Sequence, residues 1–438
     1  MNTTVVCKVF EGFVRDSLYN HFIENNLLSD NQFGFCKGRS CVTQLLVTID
    51  EWMKHLDDNI PVDAIYLDFH KAFYSVPHKR LINKVKGYGV KGKVLNWVED
   101  FLSDRKQYCS VNGKKSDTVP VTSGVPQGSV LGPTLFIYFI NDLPDVVDEQ
   151  IKIFADDTKA YTPIRNVNDN LNLQKCLDSL VSWCEKWLLP FNSKKCKVLH
   201  LGHNNNNFQY KIREGGVTRE LDKTVVEKDL GVQVDDNLKF NQHMLDTTKK
   251  SRNIAAMIMR TISFKTPEIM VPLFKALVRP ILEYANPVWC PHTKKDIEAL
   301  ERVQRHYTKR LVGMKDLSYS QRLAILNLPS LEFRRMRGDL IETYKILTNI
   351  YDPLTTHSLL TMSTTNHLTG SNSFKLFKGR TNTKHYHIFF TNIIINLWNS
   401  LPEKVVSADS LNSFKNQIDK HFNKYRFLTD IEFLYKFL

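Results

Sequence analysis

Three aspartates are placed where a carboxylate is costly. Asp68 closes the apolar run Ala64, Ile65, Tyr66, Leu67, and Asp156-Asp157 follows Ile153, Phe154 and Ala155 and precedes Thr158. The first run predicts a buried strand ending in a carboxylate, and the second predicts a hairpin with an acidic pair at its tip. Burying such groups without a partner is expensive. Three carboxylates brought together supply hard oxygen ligands of the kind magnesium takes. Two such ions about 3.5–4 Å apart can activate an attacking hydroxyl and steady a leaving pyrophosphate. An acidic pair on its own is also explained by an ordinary surface turn, so the surrounding elements decide between the readings.

Those elements alternate. Helical spacing over Val5–Leu28 (Val9, Phe13, Leu18, Phe22) gives way at LLSDNQFGF, and a second helix is expected over 40–56, capped by Ser40. The strand VDAIYLDF follows, then helices at 81–90 and 93–103. QYCSVNGKKSDTVPVT reads as a hairpin turning at Asn112-Gly113. The loop SGVPQGS leads into an apolar helix, and IKIFADDTKAYT reads as two short strands about the acidic pair. NLQKCLDSLVSWCEKWLL is an amphipathic helix before the strand KCKVLHL. Interleaved strands and helices of this kind make an α+β domain. Beyond the asparagines at 204–207 a short β-like section gives way to helices near 241–262, 267–285 and 293–312. A Ser-, Thr-, Asn- and His-rich stretch at 354–385 reads as a linker, and helical patterning returns in NIIINLWNSLP and SLNSFKNQIDKHF.

The chain has 438 residues, 42% of them hydrophobic, enough for two or three domains with apolar cores. Its formal charge of +13 and sequence pI near 9.2 favour a polyanionic partner, although the same charge spread over many surface positions serves solubility alone. Eight cysteines without a CxxC pair fit a reduced, intracellular protein, nuclear or cytoplasmic. Cys290 with His292 and His306 falls short of a zinc ligand set. No apolar run reaches the roughly 18 residues of a membrane helix, so no membrane partner is expected. Arg302, Arg305 and Lys309 recur at helical spacing and would give one helix a basic face for phosphates, or an ordinary solvated face.

The ordered segments YLDFHKAFYSVPH, SGVPQGSVLGPTLFIYFINDLP and FADDTK resemble the three catalytic motifs of reverse transcriptases from non-LTR retrotransposons of the LINE and jockey-like type. WLLPFNSKKCKVLHLG, DLGVQVDDNLKF and ERVQRHYTKRLVG are similar to segments further along that family. The resemblance implies an RNA-directed DNA polymerase working with two Mg2+ ions, Mn2+ being a substitute, on an RNA template, a DNA primer and deoxynucleoside triphosphates. It implies a right-hand polymerase: partial fingers over 1–60, a mixed α/β palm over 61–203, a helical thumb and connection over 204–320, and a helical carboxyl-terminal extension over 321–438.

Residue by residue, the resemblance makes Asp68 and Asp156 metal ligands, with Asp157 on metal or primer end and the Phe69 carbonyl as an extra ligand. Phe73 would be a gate beneath the incoming sugar, the alternative being a plain core position. Gln127 would hydrogen-bond near nucleotide and template, with Gly124 and Gly128 allowing close backbone approach of nucleic acid. Lys37 and Arg39 would meet the triphosphate, and Lys195 matches the lysine of the post-catalytic motif.

The chain departs from the pattern at three places. Cys36 replaces the usual Arg, Tyr74 replaces the usual Asp, and Met1 falls where part of the fingers would already have passed, which reads as truncation. The endonuclease of the full elements has no counterpart here and would be supplied elsewhere. These departures keep open a second reading, a nucleic-acid-binding remnant with impaired catalysis. An RNA-templated RNA polymerase is a third, opposed by Phe73.

Overall fold

The structure is a computed structural model that describes residues 5–291, 293–363 and 372–429. The chain divides into two compact units, the first formed by Met1–Cys41 with Ile60–Val225, the second by Val42–Asn59 with Val226–Leu438.

The first unit begins with helix α1 (Val5–Glu24), whereas α2 (Cys41–Asp57) lies almost wholly in the second. Strand β1 (Val62–Leu67) is followed by α3 (His78–Gly87), α4 (Gly92–Leu102), α5 (Gly132–Ile140), the hairpin β2 (Gln150–Phe154) and β3 (Asp157–Pro163), α6 (Val167–Trp187), β4 (Lys197–Leu201) and β5 (Asp222–Thr224). The strands form one sheet in the order β5-β4-β1-β3-β2, with β1 antiparallel to both β3 and β4. Between α4 and α5, Ser110–Val111 pairs with Lys114–Lys115 across Asn112-Gly113. Both turn residues have positive φ, 51° and 81°, as a two-residue hairpin turn requires.

The core lies between the sheet and α3, α5 and α6, and α5 is buried along almost its whole length. Its first turn is tied down by Glu11 of α1, a buried carboxylate that accepts hydrogen bonds from Val130 N (2.6 Å) and Leu131 N (3.1 Å). Negative charge at a helix start satisfies N–H groups that have no partner within the helix. Lys84 of α3 is likewise buried, its Nζ lying 4.8, 4.5 and 3.8 Å from the rings of Phe139, Trp183 and Trp187. It donates to the Phe139 carbonyl at 2.5 Å and to the Asp142 carboxylate. On β1, the fully buried Asp63 accepts from Tyr210 (2.6 Å), Asn205 (2.7 Å) and Asn170 (3.0 Å) and contacts His200 Nδ1 at 2.6 Å. The expensive carboxylate is thus fully surrounded by polar groups, and part of the asparagine run serves to surround it.

The second unit is mostly helical. A hairpin of Val226–Asp229 with Val232–Asp235 precedes α7 (Asn241–Thr261), α8 (Lys294–Lys309), α9 (Leu331–Leu347), α10 (Phe390–Asn399) and α11 (Leu411–His421). The helix expected over 267–285 is broken into Pro267–Leu273, a π-helical turn Phe274–Val278, and Arg279–Glu283, with Pro272 inside it and Pro280 just beyond the turn. Helix α2 joins this unit through Asp50, bonded to Thr391 at 2.5 Å, and Asp57, bonded to the backbone of Asn382 and Thr383. The described parts of 354–385 hold short helical turns and an isolated antiparallel bridge between Met362 and Leu376; residues 364–371 and His292 lie outside the described residues. Among the described residues no helix is long and apolar enough to cross a membrane.

Candidate active site

Asp68 and Asp156 meet because β1 and β3 pair with Leu67 opposite Thr158. That register sets the residue after β1 beside the turn before β3. The turn is a two-residue loop closed by the pair Phe154 and Asp157, with Ala155 at φ 54° in its first position. The left-handed region costs a non-glycine residue roughly 1–2 kcal/mol, so other contacts must hold Ala155 there.

The clamp comes from the loop after α1, where the sequence pattern indicates only a break. Phe33 N donates to Ile153 O (2.8 Å) and Ile153 N to Asn31 O (2.9 Å), so this loop covers the exposed edge of β2. The side-chain oxygen of the buried Gln32 accepts from both Gly34 N (2.8 Å) and Ala155 N (3.0 Å). Gly34 lies so near the turn that a Cβ on it would fall 2.4 Å from Ala155 N. Gln32 and Gly34 are therefore positioning residues for the acidic turn. They act through one side-chain bond and one steric gap, neither of which leaves a periodic trace in sequence.

Asp68 is held from the other side. His70 N donates to Pro190 O and Asn192 N to Asp68 O, bridging the segments at Phe69 and Phe191, whose rings stack at 4.5 Å. The Phe69 carbonyl takes no part in those two bonds. Lys195 Nζ lies 3.3 Å from the Asp68 carboxylate, but both side chains are well exposed, 63% and 40%, and such a pair contributes little to stability. Burial holds the Asp156 carboxyl above the usual carboxylate range; a backbone hydrogen bond opposes this, Asp68 adds to it, and Lys195 opposes it. Asp157 is exposed. Among the described residues no three His, Cys, Asp or Glu side chains converge as a metal-holding group. The structure brings Asp68 close to Asp156, with Asp157 next to it at the start of β3.

The remaining expected residues separate into distinct roles. Phe73 is half-buried and stacks on Phe136 of α5 at 4.4 Å. The loop around Gln127 is fastened to the turn bearing Phe73: Val125 N donates to Phe73 O and Gly124 N to Val76 O, both at 2.8 Å, and Tyr74 donates to Gln127 Oε1 at 2.6 Å. Gly124, with φ 86°, has the Tyr74 carbonyl where a Cβ would come within 2.6 Å, so its close approach is to that backbone. Gly128 also has φ 86°. Lys37 is exposed, its N–H bonded to Tyr19. Arg39 is only 4% exposed and donates to Ser29 O, Gln32 O and Asp30, so it supports the loop and does not face outward as a phosphate ligand. Cys36, standing where the resemblance expects an Arg, is buried in the core. In the second unit, Arg302 and Arg305 share Glu298 at 3.4 and 3.6 Å, and Lys309 is exposed. Neighbouring His306 is held below its usual range by burial, then by Arg252, Arg302, Arg310 and Arg305, which marks a positive surface.

Residues 1–242, more than half of the chain, match the reverse transcriptase (RNA-dependent DNA polymerase) family, and the chain belongs to that family. It is 27% identical over 318 residues to the RNA-directed DNA polymerase from mobile element jockey of Drosophila melanogaster, a match covering 70% of this chain and 34% of that protein. It is 28% identical over 319 residues to the probable RNA-directed DNA polymerase from transposon BS of the same species, covering 68% and 34%. The motif resemblance to non-LTR retrotransposon enzymes is thereby borne out, and the chain spans about a third of the length of these relatives. Among solved structures, apo telomerase from Candida tropicalis aligns with a TM-score of 0.41 at 10% identity, over 72% of this chain and 54% of that one.

Proposed function

We propose that the chain catalyses RNA-templated DNA synthesis, joining a deoxynucleoside triphosphate to a primer 3′-hydroxyl with release of pyrophosphate. The observation that carries this reading is the meeting of Asp68 at the end of β1 with Asp156 in the β2–β3 turn. Two adjacent carboxylates, one partly desolvated, repel each other, and a divalent cation relieves both costs. The donor set thus fits magnesium or manganese: Asp68, Asp156 and the Phe69 carbonyl would hold it, with Asp157 at the metal or the primer end. When bound, the metal supplies a Lewis acid for the attacking hydroxyl and charge for the leaving pyrophosphate.

The protein's own residues then orient the substrates. Gln127 has its oxygen engaged by Tyr74 and presents its amide nitrogen to nucleotide or template. Phe73 limits the space beneath the sugar, Lys37 and Lys195 meet phosphates, and Arg302, Arg305 and Lys309 bind the duplex. In this reading 61–203 are the palm and 204–320 the thumb and connection, the fingers lie before the palm, and α2 stands with the carboxyl-terminal unit.

The test is primer extension on an RNA template with magnesium, beside Asp156→Ala. Extension that the substitution abolishes is expected. A second reading, a nucleic-acid-binding protein with impaired catalysis, is favoured by Tyr74. Tight primer–template binding with no extension by the folded protein would select it.

A further inference from the structure

The first unit contains a cleft of about 750 Å³ between Arg105–Tyr108 and the segment Pro120–Gln127, with Tyr74 also on its wall. Two cations, Arg105 and Lys106, line it, and among the described lining residues there is no carboxylate. Arg105 Nη1 is buried and finds no hydrogen-bond partner among the described residues. An unpaired buried donor of this kind is destabilising unless something else accepts from it. Burial also lowers the guanidinium's pKa from its ordinary value. Two tyrosines on the wall are exposed, Tyr108 at 51% and Tyr74 at 57%.

A donor without an acceptor among the described residues, a second cation, no carboxylate among the described lining residues and two exposed aromatic rings, that of Tyr108 with Lys115 Nζ 4.9 Å from its centroid, are together a composition that holds a single nucleic-acid strand. Phosphates meet the cations, and bases stack on the rings. A nucleoside triphosphate brings one base and one cluster of phosphates, whereas a strand brings a base for each of the two rings and phosphates spaced between them. We propose that this cleft is a subsite for single-stranded nucleic acid, with a backbone phosphodiester on Arg105 and Lys106 and a base against Tyr108. The inference rests on the polymerase reading in taking that strand to be template, but the binding itself is measurable without catalysis.

The experiment is fluorescence anisotropy of the full chain with a labelled oligouridine of roughly 12 nucleotides, titrated over salt concentration. Arg105→Met is expected to weaken binding roughly tenfold and to reduce the slope of log K against log salt by about 0.7, the loss of one single-strand phosphate contact. Its melting temperature should hold or rise, because a buried unpaired donor has been removed. Tyr108→Ala, at an exposed position that cannot unfold the chain, should weaken binding by a similar factor with the slope unchanged. Wild-type affinity and slope in Arg105→Met would overturn the proposal. So would a lowered melting temperature in Arg105→Met together with full binding by Tyr108→Ala, which would make the arginine structural. An effect of Arg105→Met on deoxynucleoside triphosphate binding alone would assign the cleft to a triphosphate and equally overturn it. If these losses appear while the wild type extends no primer, the polymerase reading fails and the subsite stands.

Discussion

Replacing Gly34 by alanine tests how the acidic turn is held. The added Cβ would fall 2.4 Å from Ala155 N, 3.0 Å from the Phe154 carbonyl carbon and 3.1 Å from Gln32 Oε1, where ordinary contacts begin near 3.4 Å. The first two neighbours are backbone atoms, so no side chain can rotate away, and relief requires the loop and turn to separate by about 1 Å. Both sides are fastened, by the two bonds to Gln32 Oε1 and the two between the loop and Ile153, so the displacement falls partly on Ala155 and with it Asp156. Overpacking of this size costs about 1–3 kcal/mol of stability. A misplacement approaching 1 Å at a reacting centre costs on the order of 10²-fold in rate. Single-nucleotide incorporation kinetics should therefore show kcat reduced roughly 10²-fold, with KM for the nucleotide little changed and primer–template affinity intact. Gly12→Ala, where a Cβ would meet nothing within 4 Å, is the control and should be without effect. Unchanged kcat in Gly34→Ala would refute the reasoning. It would do so even with lowered stability, because the loop would then have given way and left the turn in place.

Two further outcomes follow from side chains already described. Burial outweighs Asp142 and lowers the Lys84 pKa from 10.5 to about 8. Between those values the folded amine is neutral while the unfolded one stays protonated, so the unfolded state binds more protons and stability rises with pH across that window. Denaturant melts between about pH 8 and 10.5 should show this slope, and Lys84→Met should flatten it; an equal slope in both proteins would remove Lys84 as its source. Phe73→Ala, from a half-buried position, should cost less than the roughly 3–5 kcal/mol of a fully buried ring. If the ring lies beneath the sugar, it should also reduce discrimination against ribonucleotides by roughly tenfold or more. Lower stability with unchanged discrimination would leave Phe73 a core residue only.

The elements carrying Asp68 and Asp156 were legible because their signals are local. Apolar runs of strand length bounded by turn residues mark β1 and the β2–β3 hairpin, and Asn112-Gly113 marks its own turn. What was not legible depends on contacts distant in sequence. Gln32 reaches Ala155 across 123 positions, and Asp50 reaches Thr391 across 341, which draws α2 to the second unit. The resemblance puts Arg39 on the triphosphate, and nothing in a loop's composition shows that its guanidinium turns inward onto carbonyls. Nor do neighbouring letters show that Asp156, in the turn, is partly buried while Asp157, the first residue of β3, is exposed.

Three local costs in the first unit have a common logic. Ala155 occupies a backbone region that L-residues avoid, Asp156 is partly desolvated beside Asp68, and Arg105 buries a nitrogen that finds no acceptor among the described residues. None improves the packing of the free protein, and each departs from the consistency between local and global preference that otherwise runs through the fold. The two electrostatic costs have opposite sign and separate places: paired carboxylates are relieved by a cation, and a guanidinium nitrogen without an acceptor by an anion. A substrate made of phosphates, and a metal that binds phosphates, would relieve both at once. The strain at Ala155, which serves neither charge directly, fixes where the carboxylate stands, and so the Gln32–Gly34 clamp matters more to the chemistry than its distance in sequence suggests.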